Sequence, residues 1–239
     1  MTAARVLTLH RTTVGKKAIM AVTGAVLVAF VVVHMVGNFQ LWLGPEQMHA
    51  YAVKLRAVPG LLFIARAVLL AAVVLHVWSA VALTARNSDA RPVEYRHRRR
   101  DVTTTYAART MMWSGAILAL FIVFHILHLT LGYGPYHDPQ AVYNNVVYGF
   151  HDWRISTFYI VAQLFLGLHL YHGAWAWFSS LGWANPRFER ARRGFATALA
   201  VAVTLGNVAI PVTVMVGLVH TTAETFCAPE LGPCPGGSE

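Results

Sequence analysis

Five long apolar segments constrain the fold of this chain more than any other feature. A helix needs about 20 mostly apolar residues to cross about 30 Å of hydrocarbon, and each of the five segments is long enough. A soluble chain carries about 25% charged residues, whereas this one carries 12%. We therefore predict an all-α membrane protein with five transmembrane helices in a bundle, near residues 17–41, 61–85, 107–131, 155–181 and 194–220.

We expect one membrane domain between two tails. Residues 1–16 are predicted to form the N-terminal segment, residues 17–220 the helical bundle and residues 221–239 the C-terminal tail. The first apolar run, Ala18 to Val36, is longer than the core of a signal peptide and lacks a small-residue cleavage site. It is therefore predicted to be a helix of the mature protein.

The connections between the segments differ in character. Gly44-Pro45 opens the first, and Glu46 to Val58 are predicted to form a short helix. The second, Asn87 to Thr105, is polar and basic, which is typical of an exposed loop. The third, Gly132 to Trp153, is rich in Gly, Tyr, Asn and His, so we expect it to lie across the outer face without a hydrophobic core.

The distribution of lysine and arginine predicts the orientation in the membrane. The net charge is +9, and most of the 19 basic residues fall in the N-terminal tail and in the second and fourth connections. Because basic residues accumulate on the cytoplasmic side, we predict a cytoplasmic N-terminus and an external C-terminus in a bacterial plasma membrane. The basic face suits anionic lipid or a cytoplasmic partner protein, and nucleic acid is not an expected partner.

The two cysteines, Cys227 and Cys234, both lie in the tail that is predicted to be external. An oxidising compartment permits a disulfide between them, and two free thiols are the alternative. Two cysteines cannot supply an iron–sulfur cluster, which takes about four thiolates.

Four histidines lie inside four different apolar segments, and their predicted depths match in pairs. His34 and His125 lie roughly 9–10 Å from the outer ends of their helices, at 1.5 Å per residue. His76 and His169 lie roughly 13–16 Å from the inner face. Since an ionisable side chain inside a membrane indicates function by default, and two imidazoles at one depth can fill both axial positions of a haem iron, the pattern favours two bis-histidine haems.

Two further histidines leave the ligand assignment open. His128 follows His125 by three positions and His172 follows His169 by three, so each shares a helix face with its neighbour. Spacing alone does not choose between them, and packing histidines remain the alternative for all of these positions. The absence of Asp and Glu from the interior of the segments disfavours cation transport, which normally uses membrane-embedded carboxylates.

The sequences around these histidines resemble a known family. Val33-His34-Met35-Val36-Gly37-Asn38, His169-Leu170-Tyr171-His172-Gly173-Ala174-Trp175 and Gly115, ten residues before His125, are similar to the cytochrome b anchor subunit of succinate:quinone oxidoreductases and fumarate reductases, in the class with five helices and two haems. The resemblance runs from about residue 10 to residue 220.

The resemblance implies the ligands, the partners and the reaction. His34 and His125 would bind a distal haem b, and His76 with His169 a proximal one. An iron–sulfur subunit that carries a flavoprotein would dock on the cytoplasmic face and pass electrons from succinate through the two haems to a quinone, preferably menaquinone. Some fumarate-reducing members carry Glu two residues before the helix-four ligand, where this chain has Gly167.

Other contacts are expected from position. Arg11, Lys17 and Arg109 are candidates for the haem propionates, and Asn38, His49 and His128 for the quinone; His172 could serve a propionate or pack. A free-standing two-haem b cytochrome and a haemless structural anchor are the alternative functions, and a homo-oligomer of the complex is an open possibility.

Overall fold

Seven α-helices make up the fold in the computed structural model, which describes residues 11–90, 106–133, 138, 141–183 and 185–221. No strand occurs in these ranges. The helices are α1 (Thr13–Asn38), α2 (Pro45–Ala57), α3 (Leu61–Asp89), α4 (Tyr106–His125), α5 (Val142–His151), α6 (Trp153–Ser180) and α7 (Glu189–Met215). Short 3₁₀ helices cover Phe39–Leu43 and Pro186–Phe188, and a π-helical turn, Ile126–Thr130, continues α4.

Four stretches of the described chain are long and apolar enough to cross a membrane, which indicates a multi-pass membrane protein. They are Thr13–Leu43, Leu61–Asn87, Thr110–Thr130 and Pro186–Met215. The all-α prediction is thus confirmed for the described residues, and four of the five predicted spans have a matching candidate. The segment predicted at 155–181 does form a 28-residue helix, α6, but Gln163, His169 and His172 lower its hydropathy.

The surface of α3 shows how such a helix suits lipid. One face is buried through Ala72, Ser79 and Leu83. The remaining faces expose large apolar side chains, with Phe63 77% and Leu70 68% exposed. An apolar surface of this extent is unfavourable in water and is compatible with hydrocarbon or a partner protein.

The last span begins and ends about one turn earlier than predicted. The prediction placed it at 194–220, whereas α7 covers Glu189–Met215. Asn185 accepts a hydrogen bond from the backbone N–H of Arg187 (2.9 Å) and so caps the 3₁₀ turn that leads into α7. Gly217 adopts a positive φ of 77° just after the helix, a conformation that suits glycine and ends a helix. Charged residues therefore occupy the first two turns of α7. The prediction missed this start because it was based on where the apolar residues begin.

The third connection contains a helix that the sequence analysis did not predict. Residues Val142–His151 form α5, which buries Tyr143, Val147 and Phe150. The expectation of a connection without a hydrophobic core was therefore wrong. Asn145 is also buried because its side chain hydrogen-bonds the backbone N–H and carbonyl of Asp138, at 2.9 and 2.6 Å. The short helix predicted after Gly44 is confirmed as α2, which starts with Pro45 in its first turn.

The chain forms two compact units, and each long helix except α3 contributes to both. The first unit comprises Met1–Val33, Gly60–Ala116 and Leu166–Val203, with Leu170, Ala200 and Val203 as its buried core. The second comprises His34–Pro59, Ile117–Phe165 and Thr204–Glu239, and its larger core includes the buried residues of α5 together with Leu41, Met48, Tyr159, Ile210, Val214 and Val219.

Replacing Gly149 by alanine should destabilise the second unit. A Cβ at this position would lie 2.8 Å from Cε1 of His128, and that ring is held by Tyr159 and stacked on Phe124. Overpacking of this kind costs about 1–3 kcal/mol, which exceeds the about 0.5–1 kcal/mol that alanine gains over glycine in a helix. Thermal unfolding in detergent should show a lower midpoint for Gly149→Ala.

Gly173 provides the matched control for Gly149, since a Cβ there would meet nothing within 4 Å. Gly173→Ala should be neutral or slightly stabilising. Equal stability of the two variants would contradict the close packing at Gly149.

Candidate functional site

The first unit brings two of the predicted ligands together. The ring centroids of His76, on α3, and His169, on α6, lie 6.3 Å apart with an angle of 60° between the rings. Nδ1 of His76 lies 3.2 Å from the backbone oxygen of Met20 and 3.3 Å from Oγ1 of Thr23, both on α1. Nδ1 of His169 lies 3.2 Å from Oγ of Ser114, on α4.

These contacts determine which ring nitrogen can bind a metal. A backbone carbonyl only accepts hydrogen bonds, so Nδ1 of His76 must carry the proton that it shares with Met20. The hydroxyl of Thr23 donates to the carbonyl of Ile19 (2.7 Å) and that of Ser114 donates to Met111 (3.0 Å). Each hydroxyl oxygen is thereby left to accept from its histidine. In both rings Nε2 then holds the lone pair, which is the form that ligates metals.

A glycine follows each of these hydroxyl residues, and at Gly24 the missing side chain lets the imidazole approach the neighbouring helix closely. A Cβ at Gly24 would lie 3.3 Å from Cε1 of His76, and a Cβ at Gly115 would lie 3.7 Å from Cε1 of His169. Thr23 and Ser114 thus have similar roles on α1 and α4, whereas the close approach of the ring depends on glycine at Gly24 and would tolerate a Cβ at Gly115.

The same spacing occurs twice in the sequence. Gly24 precedes His34 by ten positions, as Gly115 precedes His125. The family resemblance pointed to the glycine of α4, whereas its counterpart Gly24 and the two hydroxyls were not predicted from the sequence. The repeated pattern of a hydroxyl residue, glycine, nine residues and histidine was the available signal.

The second unit brings together the other predicted pair. The ring centroids of His34 and His125 lie 5.8 Å apart, with an angle of 87° between the rings. Aromatic side chains surround His125, with the rings of Phe121 and Tyr159 at 5.8 and 5.9 Å. Its Nδ1 atom is buried and has no hydrogen-bond partner within the described structure. A buried polar atom in this state is unfavourable, so a ligand at this ring is chemically reasonable.

Both histidine pairs have a spacing that fits one metal ion between two axial imidazoles. With imidazole–metal bonds of about 2 Å and about 1.2 Å from nitrogen to ring centre, two trans imidazoles have centroids about 6.4 Å apart. The observed 6.3 Å matches this value, and 5.8 Å requires only a small adjustment. Each pair could therefore supply two imidazole nitrogen donors, the kind of ligand that a bis-histidine haem uses.

The two extra histidines have different surroundings. His128 is only 7% exposed, its Nδ1 lies 3.0 Å from the hydroxyl of Tyr159, and its ring stacks on Phe124. These contacts are those of a packing residue. His172 is half-buried beside Trp175, at 5.9 Å between ring centroids, and its buried Nδ1 lacks a hydrogen-bond partner among the described residues.

The other predicted contacts are mostly dispersed. Arg11, Lys17 and His49 are exposed, and Asn38 is half-buried at the end of α1. The backbone oxygen of Arg11 accepts a hydrogen bond from Arg86 (2.6 Å). By contrast Lys16, which the sequence analysis did not consider for a contact, is 8% exposed. The side chain of Arg109 and both cysteines, Cys227 and Cys234, lie outside the described residues.

An open cavity of about 530 Å³ lies within the second unit. The polar groups that line it are paired: Trp42 Nε1 donates to Thr213 Oγ1 and the Tyr143 hydroxyl donates to the carbonyl of His220, both at 3.1 Å. Burial raises the pKa of Tyr143, so its phenol stays protonated at neutral pH. None of the residues predicted to contact a quinone lines this cavity.

Comparison with known proteins adds no further constraint: no family model, curated protein or solved structure matches this chain. Within the described residues, no group of three or more His, Cys, Asp or Glu side chains is arranged to hold a metal ion.

Proposed function

We propose that this chain is the membrane-anchor cytochrome b subunit of a succinate:quinone oxidoreductase and that it binds two haems b. The observation that carries the proposal is the pairing of four histidines from four helices into two sites of similar spacing. The motifs around His34 and His169 supply the likeness to this family. His34 with His125 would hold one haem, and His76 with His169 the other.

The chain's own groups orient the ligands. In the first unit, Nδ1 of His76 donates to Met20 and Thr23, and Nδ1 of His169 donates to Ser114. These bonds would leave Nε2 of each ring available to hold a haem and would make it more basic. Gly24 leaves room for the ring of His76 against α1. When bound, haem would supply one-electron transfer, and ligation by two histidines would disfavour oxygen chemistry at the iron.

We also propose that α6 crosses the membrane as the fifth span. Its 28 residues correspond to about 42 Å at 1.5 Å per residue, more than the hydrocarbon thickness. Arg154, in the first turn, is its only Lys, Arg, Asp or Glu. Polar side chains inside such a helix are acceptable where they face the bundle rather than lipid; Gln163 is buried. Five spans would put the two termini on opposite sides, and the basic connections would then put the N-terminus in the cytoplasm.

The remaining partners follow from this orientation. The basic cytoplasmic face would carry the iron–sulfur subunit and, through it, the flavoprotein. The cavity beside Trp42 and Tyr143 is the best candidate for quinone, because its size is within the usual range for ligand pockets and it combines an aromatic surface with hydroxyl groups. Menaquinone is the preferred quinone by the family resemblance alone.

The optical spectrum of the purified complex tests the assignment of the haem ligands. We expect two b haems per chain, at least one of them reduced on addition of succinate. His34→Ala and His76→Ala should each lose a different haem, because each removes one axial ligand from one pair. His151→Ala, which alters an exposed histidine at the end of α5, should retain both.

Three outcomes would redirect the proposal. A colourless wild-type protein would leave only an anchor role. Haem that succinate does not reduce, in a preparation that still contains the partner subunits, would indicate a free-standing cytochrome. Loss of the same haem in both histidine variants would contradict the pairing.

Cysteine labelling tests the number of spans, because both cysteines of the chain lie in the C-terminal tail. After mild reduction of intact cells, a membrane-impermeant maleimide should label Cys227 and Cys234 if five helices cross the membrane. Asp89→Cys in a Cys227→Ser/Cys234→Ser background should react only after permeabilisation, since it lies at the cytoplasmic end of α3. Labelling of the native tail only after permeabilisation would indicate an even number of spans.

The hydroxyl of Thr23 should strengthen haem binding at the His76 site. Thr23→Val removes one acceptor for Nδ1 while nearly preserving side-chain volume, and loss of such a partner typically weakens metal binding about 10–100-fold. Haem titration should show this loss for the component that disappears in His76→Ala. Thr197→Val, an exposed threonine that bonds only to its own helix, is the control, and equal affinities of the two valine variants would refute the role.

A further inference from the structure

Lys16 is a buried cation without an anionic partner among the described residues. It is 8% exposed, whereas its neighbour Lys17 is exposed. Its Nζ atom lies 5.5 Å from the centre of the Trp78 ring, in a cation–π contact. In the part of the chain that the structure describes, its ammonium group has no hydrogen-bond or ion-pair partner.

This position is unfavourable for a positive charge. Burial removes water from the ammonium group, and Lys16 lies near the N-terminus of α1, where the helix dipole is positive. The first turn of α1 contains no acidic residue. The Trp78 ring offsets part of the cost, and an anion would offset the rest.

Lys16 shares a helix face with the groups that hold His76. Positions 16, 20 and 23 are separated by four and three residues, so Lys16, Met20 and Thr23 lie along one side of α1. Lys16 is about 6 Å along the helix axis from Met20, whose carbonyl contacts His76. Trp78, which Lys16 contacts, is two residues beyond His76 on α3. The cation therefore lies about one helical turn along α1 from the carbonyl that contacts His76.

We propose that Lys16 binds a propionate carboxylate of the haem held between His76 and His169. This inference rests on the proposed function, because it requires haem at that site. In this proposal Lys16 takes the place of Arg11 and Lys17 as the propionate contact, since both of those side chains are exposed. A lipid phosphate would have the same charge, but Lys16 is buried on the side of α1 that faces His76 rather than on the outer surface.

Redox titration of the purified complex tests the role of the charge. Lys16→Met removes the cation and keeps an unbranched side chain, and a nearby positive charge favours the reduced form of a haem. The haem that disappears in His76→Ala should shift at least tenfold toward its oxidised form, which is about 59 mV for a one-electron couple. Its partner at His34 should keep its potential, and Lys16→Arg should stay close to wild type.

Lys17→Met is the direct comparison, because it removes the same charge one residue away. Equal midpoint potentials in Lys16→Met and Lys17→Met would overturn the proposal, and a shift in Lys17→Met alone would reassign the contact to Lys17.

A second measurement uses the wild-type chain and so does not depend on the folding of a variant. Membranes that contain the haem-free complex are titrated with haem and with its dimethyl ester, whose propionates carry no charge. We expect the ester to bind at least tenfold more weakly at the His76 site. Equal binding of the two would overturn the proposal, and it is also the result expected if Lys16 served a lipid phosphate. A chain that takes up no haem would instead refute the proposed function itself.

Discussion

The hydrogen bond from His76 Nδ1 to the carbonyl of Met20 is the contact on which the first site depends. It joins α1 to α3 and determines the tautomer of the ring. The carbonyl of Met20 is available at this point because a helix carbonyl has a second lone pair beyond its own helical bond. Thr23 and Gly24 then complete one side of the ring with a hydroxyl and an open surface. The orientation of His76 therefore depends on residues of α1 as much as on α3, which carries it.

The sequence predicted correctly those features that depend on one helix alone, such as its apolar length and the level of a residue along it. The length and hydropathy of the apolar segments predicted five spans, and four of them have a matching candidate among the described residues. Position along a helix placed His34 near the level of His125 and His76 near that of His169. The structure places the members of each pair together. It failed where polar residues belong to the buried face: Asn144 and Asn145 concealed the amphipathic pattern of α5, although Tyr143, Val147 and Phe150 recur at helical spacing.

The burial of individual side chains and the hydrogen-bond partners of the histidines depend on how each helix is rotated about its axis. Lys16 and Lys17 differ by one residue, which is about 100° around α1, so one is buried and the other exposed. No local pattern distinguishes them, because the choice follows from the contacts of α1 with α3. The partners of the ligands, Thr23 and Ser114, were missed for the same reason. Thr23 and Ser114 each precede a histidine, His34 and His125, by eleven residues. This repeated spacing could have revealed them.

The two histidine pairs differ in their surroundings, and this difference bears on how one chain could tune two haems separately. Hydroxyl and carbonyl acceptors surround the ligands of the first unit, whereas aromatic rings surround His125 and its Nδ1 has no hydrogen-bond partner among the described residues. Donation from Nδ1 makes a ligand more basic, which favours oxidised iron, while the buried charge of Lys16 favours reduced iron. In the proposed function these two effects oppose each other at the His76 site, so its potential would reflect their balance. Neither the hydroxyls nor Lys16 belongs to the second unit, and the potential at His34 would therefore be set by other groups.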